Sequence, residues 1–365
     1  MTFRPALDSP LRRRPGTVGT VLRRWSSSRN VRVGMGAIAL LTNLALLNIK
    51  ASASNGDLVR VAGTGQRGIA DGRFDSAQFT MGWAIETDSL GNVFVGDGSA
   101  VRKITPDGQV TTIAGSSTPG FTDGTGPTAR FDGARGLAVD QTGNVFVADA
   151  RNHAIRKITP AGVVTTVAGN GAAGAVDGRR AEAQFNEPTD IALDATNNVI
   201  VADSQNRLIR KIDARGNVAT LAGPAGFTTP VSLAIDTKGN IFVADFDGAL
   251  NPSRIAKITP AGDVSTLAGP QTSQAYFLPF NVEVDAQENV IVADTYNNRI
   301  LSITQSGAIT VLAGGPLAGY RDNKTSNAKF HGPEGLASGP NGELFVMDGQ
   351  KPLAPGSETP VLWKI

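Results

Sequence analysis

Short runs rich in Val, Ile, Leu and Phe, separated by polar turns, recur along most of this chain. In the clearest stretch, residues 143–169, three such runs are divided by turns of Gly, Asn, Asp and Pro. Runs of four to six residues with this composition predict β-strands rather than helices. The chain is therefore predicted to be all-β, with meandering antiparallel strands.

One aspartate per copy follows the second strand and marks a repeat. The aspartates recur at intervals of 42 to 54 residues, a period typical of one propeller blade. They are Asp97, Asp149, Asp203, Asp245, Asp294 and Asp348. We predict four strands per copy, which in the second copy are residues 136–139, 145–148, 155–158 and 164–168.

The two ends of the chain complement each other. The sixth copy stops at Val361–Ile365, which matches a third strand and leaves the fourth missing. Residues 58–63 end in the same Ala-Gly that closes the fourth strand elsewhere. Pairing this first strand with the last blade would close the ring and remove its open edges. The predicted fold is a six-bladed β-propeller of four-stranded antiparallel blades.

Three copies carry a related triplet after the aspartate, and here the chain resembles the NHL-repeat β-propellers. The triplets are Asn152-His153-Ala154, Asn206-Arg207-Leu208 and Asn298-Arg299-Ile300, and the resemblance covers about residues 57–365. It implies the propeller fold. The family includes lyases, protein-interaction sensors and RNA-binding modules, so the resemblance does not choose a function.

The first 53 residues have a different composition. They hold nine basic residues and one acid, and residues 33–49 form an apolar run followed by Ala51-Ser52-Ala53. This pattern predicts a secretory signal peptide cleaved near Ala53, and hence export to the periplasm or the extracellular space. The apolar run is short for a membrane span, but the long basic leader keeps an uncleaved membrane anchor as an alternative. A mitochondrial transit peptide is a further one.

Residues 54–365, the predicted propeller domain, are mildly acidic. They carry 25 basic and 31 acidic residues, so the basic pI of the whole chain comes from the leader. An acidic body disfavours nucleic acid as a partner, because nucleic acid selects concentrated basic surfaces. The chain has no cysteine, which excludes disulfides and thiolate metal sites.

The loops and residues that enter each first strand should line the mouth of the central channel, where concave sites form. Each first strand is followed by an aspartate, or by Gly339 in the last copy. The residue five before that position is Trp83, Arg135, Thr189, Val231, Phe280 and Glu334 in the six copies. The next position gives Ala84, Gly136, Asp190, Ser232, Asn281 and Gly335. These positions vary more than the strands behind them.

We interpret this variation as a ligand-binding site, although solvent-lined positions also vary without function. Trp83 and Phe280 would form apolar walls and Arg135 would contact an anion. The predicted ligand-binding residues are Trp83, Arg135, Thr189, Asp190, Phe280, Asn281, His331 and Glu334.

A metal site is a second interpretation of the same positions. Asp190, Asn281 and Glu334 supply oxygen donors that suit a hard cation such as Ca²⁺. Lactonase-type propellers, which this outline resembles, hold a divalent metal there. The histidine-bound zinc of lyase relatives fits less well, because the chain has only His153 and His331. His153 is expected in an exposed turn, and His331 near the mouth.

Two other repeated features predict structure rather than a site. The strand-end aspartates should accept backbone N–H groups and pair with basic residues on the third strand. Four loops of equal length should place Phe79, Phe131, Phe185 and Phe330 between blades. Each of these loops carries an aspartate eight residues after its first glycine. The connections 223–230 and 269–279 are shorter and should lower the rim on that side.

Two functions from different classes follow. The first is an exported, non-enzymatic scaffold that binds a protein, peptide or glycan. The second is a metal-dependent hydrolase or lyase at the channel mouth. RNA binding is disfavoured by charge and by export.

Overall fold

The computed structural model describes residues 58–246, 253–269, 278–315, 328–349 and 360–365, together with Leu317 and Gly319. The predicted leader and its apolar run, residues 33–49, lie outside this part of the chain. Within the described residues, no helix is long and apolar enough to cross a membrane.

Antiparallel strands form almost all of the described regular structure, as predicted. In chain order they are β1 (Val59–Ala62), β2 (Gly72–Arg73), β3 (Gly82–Thr87), β4 (Val93–Asp97), β5 (Ala100–Ile104), β6 (Gln109–Gly115), β7 (Gly124–Thr125), β8 (Ala134–Val139), β9 (Val145–Asp149), β10 (Ala154–Ile158), β11 (Val163–Ala168), β12 (Gly178–Arg179), β13 (Pro188–Leu193), β14 (Val199–Asp203), β15 (Leu208–Ile212), β16 (Asn217–Ala222), β17 (Pro230–Ile235), β18 (Ile241–Asp245), β19 (Arg254–Ile258), β20 (Val264–Ala268), β21 (Pro279–Val284), β22 (Val290–Asp294), β23 (Arg299–Ile303), β24 (Ile309–Gly314), β25 (Gly335–Ser338), β26 (Leu344–Asp348) and β27 (Val361–Lys364). Short 3₁₀ turns occupy Gly126–Thr128, Ala150–Asn152, Ser204–Asn206, Pro224–Gly226 and Thr295–Asn297.

These strands form six sheets, which are the six blades of the predicted propeller. Blades one to five each consist of consecutive strands, which are β2–β6, β7–β11, β12–β16, β17–β20 and β21–β24. Blade six has the order β1-β27-β26-β25, with Val59 opposite Lys364 and Arg60 opposite Trp363. The predicted closure of the ring by the first strand is therefore present. All six blades have the four predicted strands.

Blades one to three each add a fifth, two-residue strand that was not predicted. These strands are β2, β7 and β12, and each pairs with the outermost strand of its blade. They come from three of the four long, equal loops. The phenylalanines that end those loops, Phe79, Phe131 and Phe185, are fully buried, and so is Phe330. The predicted packing role of these rings is confirmed.

A buried arginine joins two carboxylates in each of these three blades. In blade two, Arg156 Nη1 donates to Asp149 Oδ2 at 2.8 Å and Nη2 donates to Asp123 Oδ1 at 2.7 Å. Asp123 also accepts the backbone N–H of Thr166 at 3.1 Å. The same sets recur as Arg102 with Asp97 and Asp71, and as Arg210 with Asp203 and Asp177. The predicted structural role of the strand-end aspartates is confirmed in these blades, and the loop aspartates have one too.

In blades four and five the strand-end aspartate pairs with an arginine at a different position, because the short connections contain no loop aspartate. Arg254 and Arg299 lie directly opposite their aspartates, Asp245 and Asp294, two positions earlier on the strand than Arg156. Their Nε atoms donate to these carboxylates at 3.0 and 2.6 Å. Both arginine side chains remain about a quarter exposed.

Candidate functional site

The predicted mouth positions come together around one cavity of about 210 Å³. In blades one to five the lining residue is the second residue of the innermost strand, and in blade six it immediately precedes β25. The regular start of these strands explains why equivalent positions of the repeat converge. The described lining residues are Trp83, Arg135, Thr189, Asp190, Val231, Phe280, Asn281 and Glu334.

One side of the cavity is aromatic and extends beyond Phe280. The ring of Phe280 lies 5.0 Å from that of Phe246 and 5.7 Å from that of Tyr296, measured between centroids. Phe246 directly follows β18, and Tyr296 lies in the turn after β22. Blades four and five therefore build an aromatic cluster at the mouth. The sequence-based alignment missed Phe246 and Tyr296, which both follow a strand-end aspartate within two residues.

The opposite side carries a cation held against an aromatic ring. The Arg135 guanidinium lies 5.0 Å from the centroid of Trp83, and its Nη1 lies 3.9 Å from Glu187 Oε2. Burial lowers the pKa of Arg135 below its ordinary value, although Glu187 opposes that change. The guanidinium remains protonated at physiological pH, because the ordinary pKa of arginine is far above that range. This side of the mouth is therefore positively charged and partly neutralised.

Asp190 is buried and its carboxylate is already used by the protein. Oδ1 accepts the backbone N–H of Ile191, and Oδ2 accepts that of Leu233 in the next blade, both at 2.9 Å. Burial raises the pKa of Asp190 to about 6, while the bonds from Ser232 and these amides lower it. Gly136 permits the arrangement, since a Cβ there would lie 2.4 Å from the Cα of Asp190. Asp190 thus clasps neighbouring innermost strands.

A similar hydrogen bond joins the innermost strands of blades four and five, but Asn281 does not extend the series. Ser232 accepts the backbone N–H of Val282 at 3.2 Å, which links blades four and five. Asn281 holds the equivalent position of blade five, yet its Oδ1 is buried and receives no hydrogen bond. An unsatisfied buried acceptor costs stability, so such a group is a candidate ligand contact.

A second cavity of about 210 Å³ continues into the channel and shares Asp190 and Asn281 with the mouth. Two glutamates line it, Glu86 from β3 and Glu283 from β21. Burial raises the pKa of Glu86 to about 7, helped by the Asp190 carboxylate. Burial also raises the pKa of Glu283 well above its ordinary value, and the Glu86 carboxylate adds to that.

Sequence reasoning missed these glutamates because it compared only two positions per copy. Three residues beyond the mouth position, four copies have alanine and two have glutamate. The ring is Glu86, Ala138, Ala192, Ala234, Glu283 and Ala337. A comparison extended along the strand would have found them.

The two histidines take different places. His331 is half-buried and its backbone N–H donates to Asp348 Oδ1 at 2.8 Å, but it is not among the described residues that line the mouth. His153 lies in a turn with left-handed backbone, as a turn residue should. It is half-buried rather than exposed, since its Nδ1 accepts the backbone N–H of Glu187 at 3.1 Å.

The structure supports the predicted metal site only in part. Among the residues that the structure describes, no three His, Cys, Asp or Glu side chains are placed to hold a metal ion. Asp190, Asn281 and Glu334 do line one cavity. Of these, Asp190 already accepts two backbone hydrogen bonds, whereas Asn281 Oδ1 accepts none.

Comparison with known proteins agrees with this architecture. The family model described as NHL repeat matches residues 131–158, which contain β8, β9 and β10 with the Asp149–Arg156 pair. The chain folds as a six-bladed β-propeller and contains a match to the NHL repeat in its second blade. Over 95 residues, 26% of this chain, it is 37% identical to the protein SUPPRESSOR OF QUENCHING 1, chloroplastic, of Arabidopsis thaliana. It spans only 9 to 12% of the length of the curated relatives it matches.

Solved structures share the fold at low identity. A protein of unknown function from Bacteroides thetaiotaomicron superposes with a TM-score of 0.63 at 17% identity, over 84% of this chain and 75% of that one. A gluconolactonase from Xanthomonas campestris gives a TM-score of 0.56 at 14% identity, over 85% and 89%. Similarity at this level supports the propeller fold alone.

Proposed function

We propose that this chain is an exported, non-enzymatic scaffold that binds a protein, peptide or glycan at the mouth cavity. The observation that carries the proposal is the composition of that cavity. It joins an aromatic wall at Phe280 to hydrogen-bonding groups at Thr189, Asn281 and Glu334. Concave sites with apolar walls and a few polar groups are typical of ligand binding. Many NHL-repeat propellers mediate protein interactions, which is consistent with this choice.

The absence of an assembled reaction centre among the described mouth residues also favours binding. His331 is not among the described lining residues, and Thr189 is the hydroxyl among them. Thr189 contacts Ser204, another hydroxyl, rather than a base. A catalytic assignment needs a base and an orienting partner for the nucleophile.

A ligand screen by thermal unfolding tests the proposal, because a ligand that binds only the folded state raises Tm. The full-length protein is screened against peptide and glycan collections, beside Phe280→Ala and Leu90→Ala. Leu90 is a matched apolar control, exposed at the turn between β3 and β4, and so remote from the mouth. A ligand should raise Tm of the wild type and of Leu90→Ala but not of Phe280→Ala. Equal shifts in all three proteins would contradict binding at the mouth.

A metal-dependent hydrolase or lyase is the second candidate, favoured by one observation. Asn281 Oδ1 lacks a hydrogen-bond partner in a cavity that also contains Glu334. Elemental analysis of the protein purified without chelator, repeated on Glu334→Ala, separates the two functions. One Ca²⁺ per chain that is lost in the variant, with turnover of lactone or ester substrates, would replace the scaffold by the enzyme.

A further inference from the structure

The described lining of the channel beneath the mouth is acidic. It contains Glu86, Glu283 and Asp190 but no lysine, arginine or histidine. The carboxyl groups already accept some hydrogen bonds, such as the one from the backbone N–H of Thr87 to Glu86 Oε1, but each retains further lone pairs. The buried Asn281 Oδ1 receives no hydrogen bond. An ammonium group has three N–H donors and no acceptor, which matches this set.

The channel cavity adjoins the mouth cavity. Asp190 and Asn281 line both. The rings of Trp83 in blade one and Phe280 in blade five both line the mouth. The methylene chain of a long side chain packs on such rings, and its cationic end is attracted to their faces.

Arg135 is the one basic residue among the described lining residues of the mouth, and its guanidinium is already engaged. Its guanidinium covers Trp83 and faces Glu187, which lies outside the cavity. Four carboxyl groups, those of Glu86, Asp190, Glu283 and Glu334, line the two cavities against this single cation. The electrostatic preference of the two cavities together is for a cation.

We propose that the ligand is a protein or peptide segment that inserts a lysine side chain through the mouth. Its ammonium group binds Asn281 Oδ1 and the carboxyl groups of Glu86 and Glu283. This inference rests on the binding function proposed above and names its partner chemistry. Alanine, valine, leucine and isoleucine residues form much of the described channel wall, so a long, unbranched side chain suits it.

Titration calorimetry with designed peptides tests the inference on the full-length protein. The probes are capped glycine-rich pentapeptides with a central lysine, acetyl-lysine, norleucine or arginine. Norleucine keeps the methylene chain and removes the charge. The lysine peptide should bind at least tenfold more tightly than the norleucine and acetyl-lysine peptides, since a charge-assisted hydrogen bond contributes that much.

Variants locate the ammonium group. Glu283→Gln should weaken the lysine peptide about tenfold and leave the norleucine peptide unchanged, whereas Leu90→Ala should alter neither. The peptide series stands without the variant, so a misfolded Glu283→Gln would not prevent a decision. Equal affinity for lysine and norleucine peptides overturns the inference. If no basic peptide binds but another ligand does, and Phe280→Ala abolishes that binding, the inference fails while the scaffold function survives. Ligand binding that Phe280→Ala leaves unchanged would contradict both the lysine inference and binding at the mouth.

Discussion

Blades one to three and blades four to five share one repeat but differ in how they neutralise a buried carboxylate. In the first group a long loop brings a second aspartate and a fifth strand, and the arginine between them is fully buried. In the second group the arginine pairs with one aspartate and stays partly exposed. The aromatic cluster of Phe246, Phe280 and Tyr296 lies in this second group. The blades with the simpler electrostatic solution thus contribute most of the apolar mouth.

The largest difference is expected from removing the arginine itself. Arg156→Met leaves the carboxylate of Asp149 buried without a cation, which should cost about 3–5 kcal/mol of unfolding free energy. Arg299→Met should cost less, about 2 kcal/mol, because the Arg299 side chain is partly solvated and Asn297 still donates to the buried Asp294 carboxylate. Urea unfolding at pH 7 measures both. Similar losses would mean that the two groups of blades are electrostatically equivalent.

The loop aspartate should have a smaller effect that depends on pH. Arg210 and Thr220 hydrogen-bond Asp177 and hold its pKa below the ordinary value, against the opposing effect of burial. Because the folded pKa lies below the unfolded pKa of about 4, the ionised group stabilises the folded protein above that pH. This stabilisation is lost as the pH falls further. Asp177→Asn should therefore lose about 1 kcal/mol at pH 7 and less at pH 3. Asp75→Asn, at an exposed aspartate, is the control and should change stability at pH 7 by less than about 0.5 kcal/mol.

Glu86 lies in the first group of blades and Glu283 in the second. Their effect on stability should depend on pH in the direction opposite to that of Asp177. The folded pKa of Glu86 is raised to about 7, so the folded state keeps a proton that the unfolded state releases near pH 4.5. Stability should then fall as pH rises from about 4.5 to 7. Glu86→Gln should flatten this decline in unfolding experiments at pH 5, 6 and 7. A decline of unchanged steepness would assign it to other groups.

The smallest effects are expected on the outer strands. Thr166 and Val311 hold equivalent positions, opposite Arg156 and Leu301. The Thr166 hydroxyl donates to Asp123 at 3.0 Å, so Thr166→Val should cost about 1 kcal/mol. Val311 is 54% exposed, and Val311→Thr should change stability by less than about 0.5 kcal/mol. Chemical denaturation of the pair compares them, and a larger loss from Val311→Thr would reverse the expected order.

The repeat made the fold predictable, because each copy carries the same signals for strand, turn and closing Ala-Gly. Ring closure followed from a missing strand at one end and a spare strand at the other. The fifth strands β2, β7 and β12 were not predictable in the same way. Each has only two residues, and a pairing that short leaves no period in the sequence.

The mouth was partly predictable for a related reason. Trp83, Arg135 and Phe280 share one repeat position, so alignment alone placed them in one ring. Asn281 Oδ1 could not be recognised as unsatisfied, because that depends on which amide of the next blade faces it. The channel glutamates were readable in the sequence but required a deeper aligned position.

The pairing of β1 with β27 sets an order of events during synthesis. The first described strand of the propeller leaves the ribosome long before its partner, which ends at Lys364. Blades one to five consist of consecutive strands and are able to form as they emerge. Blade six must wait until residue 364 is available. Until then the apolar face of β1 has no sheet to join, so a nascent chain is exposed to misassembly throughout its translation.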